Sequence, residues 1–472
     1  MTSPILYWIR RDLRLSDNPA LSFASETGRP VVPVFILDEA GEALGAAPKW
    51  RLEQGLEALA ASYGEHGVKL ILRRGNVLEV LNALIDETGA SAVVWNRLYD
   101  PKSQERDSHV KTALKEAGRD AKSFAAHLMF EPWTVSTGSG SFYRVYSPFW
   151  KAVRGRDVKT PLEKPASMQA IDRDLASDQI ADWGLASDMQ RGAEIVSHYA
   201  RVGERAAQDR LAIFVDQEVQ DYDRLRDIPS VLGTSGLSEN LALGEISPQL
   251  CWHAVWPLVE RGGTSGTETF LKELVWREFA YHLMYHTPHI LEQNWRPEWD
   301  KFPWNSDEHH PHVLAWKQGR TGVPFVDAAM REMYVTGRMH NRGRMIVASY
   351  LTKHLMTDWR IGQRWFEQCL IDWDPASNAM GWQWSAGSGP DATPYFRIFN
   401  AETQLKKFDP KGTYVRQWIA ELSQQPSATA EAFFEAIPKH WQLSANMVYP
   451  DPIVTMAAGR EAALSAYKDR EF

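Results

Sequence analysis

The sequence predicts an α/β domain with a doubly wound parallel sheet, joined by a long linker to an all-α domain. Three observations support this architecture. Residues 1–130 alternate short, continuous apolar runs with amphipathic helical patterns, as expected of a parallel sheet covered by helices on both faces. Residues 131–195 are mixed and contain stretches rich in glycine, serine and proline that are typical of a connector crossing a surface. Residues 196–472 keep a helical period and contain no strand pattern of comparable quality.

The N-terminal domain is predicted to contain four buried strands, which are the apolar runs Ile5–Ile9, Val31–Leu37, 69–72 and 92–95. Amphipathic helices are predicted between them, at 52–63, Val77–Thr88 and 104–117. A further helix should begin after Asn18, because a capping residue followed by Pro19 marks a helix start. This order predicts a Rossmann-like sheet, which commonly binds ligands at the carboxyl ends of its strands. No GxGxxG fingerprint follows the first strand, so an ordinary NAD domain is not predicted.

Helical periodicity is strongest in six segments of the C-terminal domain. These segments are 203–219, 248–261, 267–286, 326–336, 342–357 and 362–371. No period of 20–50 residues repeats, so a solenoid of repeated units is not predicted.

Composition and missing motifs exclude several classes of protein. The formal net charge is −8, which argues against a generally basic nucleic-acid coat protein but leaves room for a local basic groove. Two cysteines, Cys251 and Cys369, exclude a disulfide framework and a cysteine-rich zinc site. His309, His310 and His312 suit a solvated loop better than a metal site, and we predict no metal. Neither a secretory signal nor an 18-residue apolar run occurs, so we expect a cytoplasmic protein without a membrane span.

Tryptophan is enriched and unevenly distributed. The chain has 20 tryptophans, of which three lie in residues 1–130 and twelve in residues 252–384. A tryptophan-rich core would explain this enrichment. A region that stacks flat aromatic rings or passes electrons is the alternative, but composition alone favours the core.

Two polar constellations in the C-terminal domain suggest ligand binding. Residues 234–238, Thr-Ser-Gly-Leu-Ser, precede an apolar helical segment. Hydroxyls and free N–H groups at a helix start suit a diphosphate, although N-capping by Thr234 or Ser235 is the alternative. Arg344 and Asp372 could form a buried ion pair that orients donors towards a planar ligand, whereas a solvated charged turn is the alternative.

Two pairs of residues combine aromatic rings with a possible pocket. Glu273 and Trp276 are three residues apart and share one helix face, as a pocket for a flat base with one hydrogen-bonding acid would need. Trp382 and Trp384 are two residues apart and face different directions on a helix. Ordinary core packing remains the alternative for the tryptophans of both pairs.

Six motifs, taken in order, resemble the photolyase/cryptochrome family, and within it the photolyases that repair cyclobutane pyrimidine dimers in DNA. They lie at 7–14 with Asp17 and Asn18, and at 234–238, 273–279, 340–345, 378–384 and 394–400. The resemblance covers nearly the whole chain. It implies an antenna-binding α/β domain over residues 1–130, an interdomain linker over 131–195, and a helical domain over 196–472 that binds FAD and the DNA lesion.

The same resemblance implies which residues contact FAD. They are Tyr222, Thr234, Ser235, Gly236, Leu237, Ser238, Phe270, Glu273, Arg344, Asp372, Asp374 and Asn378. Asn378 matches the residue facing the flavin N5 atom, where photolyases place Asn and plant cryptochromes typically place Asp. A neutral amide hydrogen-bonds N5 without supplying a proton, which favours the anionic reduced flavin.

The implied activity is light-driven repair, in which excited reduced FAD gives one electron to a flipped-out dimer and recovers it after the cyclobutane bonds split. Glu273 is expected to hydrogen-bond the dimer and stabilise its radical anion. Trp382, Trp359 and Trp304 match a chain of tryptophans running from the flavin to the surface. The residues that match lesion or DNA contacts are Arg226, Trp276, Asn341, Arg342, Met345, Trp384, Arg397 and Gln404.

The resemblance also implies partners and leaves choices open. UV-damaged DNA is the expected partner of a monomeric protein. His340 followed by Asn341 favours cyclobutane dimers over (6-4) photoproducts, while class I and class III photolyases both remain open. The expected antenna is methenyltetrahydrofolate, with a deazaflavin as the second choice. The alternative function is a blue-light receptor cryptochrome without repair activity.

Overall fold

The computed structural model describes residues 2–391 and 396–470. Its N-terminal part contains one five-stranded parallel sheet in the order β3-β2-β1-β4-β5, which confirms the predicted doubly wound sheet. In the central strand, Ile5 pairs with Val31 on one side and with Ala92 on the other. The strands are β1 Ile5–Ile9, β2 Val31–Leu37, β3 Ile71–Arg74, β4 Ala92–Asn96 and β5 Asp120–Phe124.

Two strands differ from the prediction. β3 begins two residues later than the predicted run at 69–72, and its last residue, Arg74, is exposed. β5 was not predicted, because its sequence Asp-Ala-Lys-Ser-Phe contains no apolar run. It pairs with β4 at the edge of the sheet, and Ala121 is its one fully buried residue. An edge strand can therefore form from polar residues that a central strand would not tolerate.

Helices beyond residue 196 confirm the predicted all-helical second domain. The α-helices of both domains follow in chain order. They are α1 Pro19–Glu26, α2 Glu39–Glu42, α3 Ala46–Glu65, α4 Val77–Thr88, α5 Pro101–Glu116, α6 Tyr146–Val153, α7 Gly192–Ser197, α8 Glu204–Gln217, α9 Tyr222–Leu225, α10 Ser238–Leu243, α11 Pro248–Glu260, α12 Ser265–His286, α13 Pro311–Lys317, α14 Pro324–Thr336, α15 Asn341–Ser349, α16 Trp359–Cys369, α17 Pro375–Ala386, α18 Ala401–Phe408, α19 Thr413–Trp418, α20 Ala428–Ala436 and α21 Met456–Lys468.

Local signals explain where helices begin and where one prediction is wrong. Asn18 caps α1, because its side chain accepts a hydrogen bond from the Leu21 amide at 3.1 Å and Pro19 follows. The single helix predicted at 342–357 is wrong. α15 ends at Ser349, and a π-helix, Tyr350–His354, continues from it. Apolar periodicity continues through both segments and does not reveal the change of winding.

The linker predicted at 131–195 contributes to the core. α6 lies inside it, and Phe149 and Val153 of this helix are fully buried in the main cluster of the helical domain. The segment therefore does more than cross a surface. Its bounds at residues 130 and 195 stay a prediction.

α12 and α17 organise the helical domain. α12 packs against α9, α11 and α17, while α17 also contacts α15 and α16. Five of these helices, α9, α12, α15, α16 and α17, contain site residues implied by the resemblance, so the fold brings distant sequence segments together. In the described ranges, none of the helices is long and apolar enough to cross a membrane.

Candidate functional site

Arg344 and Asp372 form the ion pair that the sequence suggested. Arg344 Nη2 lies 2.7 Å from Asp372 Oδ2, and Arg344 Nε donates to the Met339 carbonyl at 2.9 Å. Asp372 is buried, yet its Oδ1 atom has no hydrogen-bond partner among the described residues. An unpartnered buried acceptor is costly, so this oxygen is suited to a ligand that carries an N–H group.

Positive charge collects around the 234–238 loop. Arg210 donates to the carbonyl oxygens of Thr234 and Ser235 at 2.5 and 2.7 Å. Gly236 has φ +63, and a Cβ there would lie 3.6–3.7 Å from nitrogen atoms of Arg201, Arg210 and Arg338. Burial, with Arg210 and Arg338 nearby, lowers the pKa of Arg201. Two of these guanidinium groups already pair with carboxylates, Arg210 with Glu218 at 2.5 Å and Arg338 with Glu239 at 3.3 Å, and an anion at this loop would stabilise the charge that remains.

Most of the other expected contacts near this loop are apolar. Leu237 is buried, and Ser238 begins α10. Tyr222 and Phe270 are buried together, with ring centroids 5.7 Å apart and planes at 90°. Burial raises the pKa of the Tyr222 hydroxyl, which therefore stays neutral. Both rings belong to the main apolar cluster of the helical domain.

Glu273 and Arg226 form an ion pair at the domain surface. Arg226 Nη1 lies 2.5 Å from Glu273 Oε1, and the Arg226 guanidinium lies 5.4 Å from the centre of the Tyr222 ring. The Glu273 side chain is 31% exposed, so its carboxylate is accessible to a ligand. Sequence spacing did not predict this pair, because the two residues belong to α12 and to the segment after α9.

Trp276 is stacked on Tyr146, with ring centroids 3.7 Å apart and planes 8° apart. The Tyr146 hydroxyl donates to the Lys272 carbonyl at 2.6 Å, which fixes the ring over α12. Sequence analysis missed Tyr146, which lies in the predicted linker and has no motif around it. The stack holds Trp276 rigidly, as an aromatic wall requires.

The start of α15 presents several of the expected lesion contacts. His340 caps this helix, because its Nδ1 accepts from the Arg342 amide at 3.1 Å. Asn341 is exposed and Met345 is half-buried. Arg342 pairs with Asp227 at 2.6 Å.

Three further expected DNA contacts lie at the end of α17 or after it. Trp384 and Phe399 have ring centroids 6.4 Å apart, and the exposed Arg397 lies 5.9 Å from the Phe399 ring. Gln404 is half-buried, and its Oε1 has no partner among the described residues. In the motif at 394–400, Pro394 and Tyr395 lie outside the described residues.

Asp374 is the N-cap of α17, and Asn378 is the fourth residue of this helix. Asp374 caps the helix by accepting from the Ser377 amide at 2.8 Å, and it also accepts from the Tyr281 hydroxyl and pairs with Arg11 at 3.3 Å. Burial would raise the pKa of Asp374, but Arg11 and Arg277 hold it below its usual range. The Asn378 side chain donates to the Gln363 carbonyl at 3.1 Å. The Asp374 carboxylate thus already bonds to protein groups. The bond to Gln363 fixes the direction of the Asn378 amide oxygen.

The three tryptophans of the expected chain lie along connected backbone segments. Trp382 is 2% exposed and packs on Gly362, one helical turn after Trp359. Trp359 is fully buried, and its Nε1 donates to Asn294 at 2.8 Å. Trp304 is half-buried and donates to the Thr352 carbonyl at 3.0 Å. The backbone after Trp304 pairs with residues 356–358, just before Trp359. Of the three, Trp304 alone is partly exposed, and the electron path through them stays a prediction.

Comparisons with known proteins identify the family. A family model described as "DNA photolyase" matches residues 5–166, and one described as "FAD binding domain of DNA photolyase" matches residues 270–469. The deoxyribodipyrimidine photo-lyase of Agrobacterium fabrum is 44% identical over 471 residues, which cover 99% of this chain and 98% of that one. The chain belongs to the DNA photolyase family. It is therefore a light-driven DNA-repair enzyme with an FAD-binding domain, as the resemblance implied.

Solved structures of photolyases and related proteins show the same fold. The class III photolyase of Agrobacterium tumefaciens has a TM-score of 0.91 at 44% identity, with 99% of this chain and 98% of that chain covered. The cryptochrome of Synechocystis sp. PCC6803 has a TM-score of 0.84 at 27% identity, with 99% of both chains covered. The photolyase fold thus extends over essentially the whole chain.

Proposed function

We propose that this chain splits cyclobutane pyrimidine dimers in DNA, with FAD held in the helical domain. Reduced FAD, when bound, supplies one electron on absorbing blue light and takes it back after the dimer has split. Ion pairs bring Glu273 and the start of α15 together and support this activity most directly, because Glu273 pairs with Arg226 and Arg342 pairs with the next residue, Asp227. The similarity to a named deoxyribodipyrimidine photo-lyase along the whole chain supports it independently.

Two features of the chain fit FAD. The unpartnered Oδ1 of Asp372 suits an N–H group of the flavin ring, and Arg344 fixes the orientation of that carboxylate. The three arginines around Gly236 suit a diphosphate. We assign the remaining contacts to Tyr222, Thr234, Ser235, Leu237, Ser238, Phe270, Glu273, Asp374 and Asn378. Asp374 is held by Tyr281, Arg11 and the α17 amide, and as the N-cap of α17 it also positions Asn378.

The residues of the lesion pocket would bind the dimer by aromatic stacking and by a hydrogen bond to one carboxylate. Trp276, held by Tyr146, and Trp384 provide flat apolar surfaces for a base swung out of the duplex. Glu273 would hydrogen-bond the dimer while Arg226 orients its carboxylate. We assign the remaining DNA contacts to Asn341, Arg342, Met345, Arg397 and Gln404. Phosphate contacts from these arginines are compatible with a net charge of −8, because few phosphates need neutralising.

Trp382, Trp359 and Trp304 would carry electrons between the surface and the flavin. Indole is readily oxidised among side chains, and a row of three divides a long transfer into shorter steps. The burial of Trp382 and Trp359 and the partial exposure of Trp304 support this direction.

Repair of a defined lesion tests the proposal. The FAD-loaded protein is mixed with an oligonucleotide that contains one thymine dimer, and restored thymine is measured by chromatography after blue light and after darkness. We expect restoration in blue light alone. A chain that photoreduces its flavin yet leaves the dimer intact would instead be a receptor of the cryptochrome type, and equal repair in darkness would contradict light-driven chemistry.

We further propose that this chain is a class III photolyase and that it acts as a monomer in the cytoplasm. Its proposed antenna is methenyltetrahydrofolate. The 44% identity to the Agrobacterium class III structure supports the class. The unpaired Cys251 and Cys369 suit a reducing compartment. Chromatography of the released cofactors distinguishes the folate from a deazaflavin, the second choice.

A further inference from the structure

The α/β domain contacts a short helix of the helical domain at both of its ends. This helix, α10, follows the 234–238 loop directly. At its C-terminal end, carbonyl oxygens that lack partners within a helix accept hydrogen bonds from the segment after β1. The three bonds are Arg11 Nε to the Ala242 carbonyl at 2.8 Å, the Leu13 amide to the Leu243 carbonyl at 3.1 Å, and Arg14 Nη1 to the Gly244 carbonyl at 2.9 Å.

Arg51 of α3 pairs with a carboxylate in the first turn of α10 and with a second carboxylate just past the C-terminal end of this helix. Arg51 Nε donates to Glu239 at 2.8 Å, and its two terminal nitrogens donate to Glu245 at 2.9 and 2.5 Å. The side chains of Arg51, Glu239 and Glu245 are all fully buried. A buried charge that loses its partner is strongly destabilising, so this arrangement resists change.

The two domains also meet backbone to backbone beside α10. Gly244 has φ +68, and a Cβ there would lie 2.2 Å from the Arg11 carbonyl oxygen. Glycine is therefore required at this position, both for its conformation and for the close approach. The contact leaves no space for α10 to shift towards the sheet.

Arg11 connects α10 to a second part of the proposed flavin site. Its Nη2 lies 3.3 Å from Asp374 Oδ2, while its Nε holds the Ala242 carbonyl. Asp374 in turn caps α17, the helix that contains Asn378 and Trp382. One side chain of the α/β domain thus fixes the end of α10 relative to the start of α17.

We propose that Arg11 and Arg51 are positioning residues for FAD. They hold α10 and Asp374 so that the 234–238 loop and Asn378 are arranged to bind the cofactor, although neither arginine is assigned a contact with it. The inference rests on the proposed FAD contacts. It gives the α/β domain a part in cofactor retention that is separate from binding an antenna.

The rate of FAD release tests this inference in the full-length holoprotein. The variants are Arg11→Met and Arg51→Met, and release is followed by the fluorescence of freed FAD after dilution, at a temperature where far-UV circular dichroism shows every variant folded. We expect release about tenfold faster or more, because each variant removes charged hydrogen bonds that hold the site. Arg11→Lys and Arg51→Lys keep the charge and should restore part of the retention. If a methionine variant does not fold, the rate of FAD release is measured on the corresponding lysine variant instead.

Arg106→Met is the matched control. Arg106 lies in the same domain and pairs with Asp38 at 2.6 Å and with Asp107 at 2.9 Å, both within the α/β domain. It should leave FAD release unchanged. Equal release from wild type, Arg11→Met and Arg51→Met would overturn the inference, as would equal acceleration by Arg106→Met.

A direct-contact variant separates this inference from the proposed function. Asp372→Asn changes a residue assigned to the flavin itself. If it leaves FAD release unchanged, the proposed flavin site is wrong. If it accelerates release while Arg11→Met and Arg51→Met do not, the site stands and the positioning role is wrong.

Discussion

Glu273 is the residue at which the structure adds most to the proposed chemistry. Its side chain is 31% exposed, and its Oε1 lies 2.5 Å from Arg226 Nη1, so the carboxylate is oriented before a lesion binds. Glu273→Gln keeps the shape but removes the charge that binds Arg226. We expect the yield of repair per absorbed photon to fall about threefold or more, since a charged hydrogen bond is replaced by a neutral one. The measurement is dimer splitting against photons absorbed by chemically reduced enzyme.

DNA affinity and flavin content serve as controls for this variant. Both are measured so that the yield is expressed per bound flavin and at saturating DNA, because Glu273 is itself assigned contacts with FAD and with the dimer. A variant with a full photon yield would show that the Glu273 carboxylate does not assist the splitting step.

Individual contacts of the site were predictable where both partners lay in recognisable motifs. The Arg344–Asp372 pair was suggested from sequence and is present. Tyr146 was not predicted as the partner of Trp276, because it comes from the linker and no spacing rule connects the two.

At the scale of elements, the crossing of α16 and α17 depends on Gly362. A Cβ there would lie 2.0 Å from Cη2 of Trp382, so the indole ring packs directly on the α16 backbone. Gly362→Ala must displace this ring. We expect a loss of about 1–3 kcal/mol in the free energy of unfolding, as for other overpacked cores, and slower photoreduction of oxidised flavin. Urea denaturation and the rate of photoreduction without DNA are the two measurements.

Gly381→Ala is the matched control, because Gly381 lies on α17 and a Cβ there meets nothing within 4 Å. It should stabilise the helix by about 0.5–1 kcal/mol and leave photoreduction unchanged. Trp382→Phe should block photoreduction while sparing repair by chemically reduced enzyme. Normal photoreduction in both Gly362→Ala and Trp382→Phe would contradict the electron path through Trp382.

Elements were predictable in proportion to their burial. β1 and β2 are buried throughout, and their apolar runs gave correct ends. β5 lies at an edge and has a polar sequence, so its pairing with β4 decides its structure. The π-helix at Tyr350–His354 follows α15 without a break in apolar periodicity, so the periodicity does not reveal it.

At the scale of the whole molecule, the order of strand and helix patterns was enough to predict two unlike domains, but not how they meet. Their contacts use the main chain, as where the Leu13 amide donates to the Leu243 carbonyl. Every residue except proline has both main-chain groups, so no sequence pattern marks the ones that pair across an interface. The motif after β1 could be associated with a family, while its part in holding α10 is evident only in three dimensions.

Glu278 lies where the two domains join and predicts how stability depends on pH. Its Oε2 accepts from the Phe130 amide at 3.0 Å, and burial raises the pKa of the carboxyl to about 7, although Arg277 and this amide oppose the shift. Between about pH 4.5 and pH 7 the folded chain keeps a proton that the unfolded chain has lost, so the free energy of unfolding decreases as pH rises. Glu278→Gln lacks this dependence.

Relative to wild type, Glu278→Gln should therefore gain up to about 3 kcal/mol in the free energy of unfolding between pH 5 and pH 8. Urea denaturation at the two pH values measures this gain. Glu268→Gln, on the exposed side of the same helix, should show a small and constant difference from wild type. Because glutamine still accepts from the Phe130 amide, a loss of that bond cannot produce the trend. A pH-independent difference for Glu278→Gln would mean that the buried carboxyl titrates alike in the folded and unfolded chain.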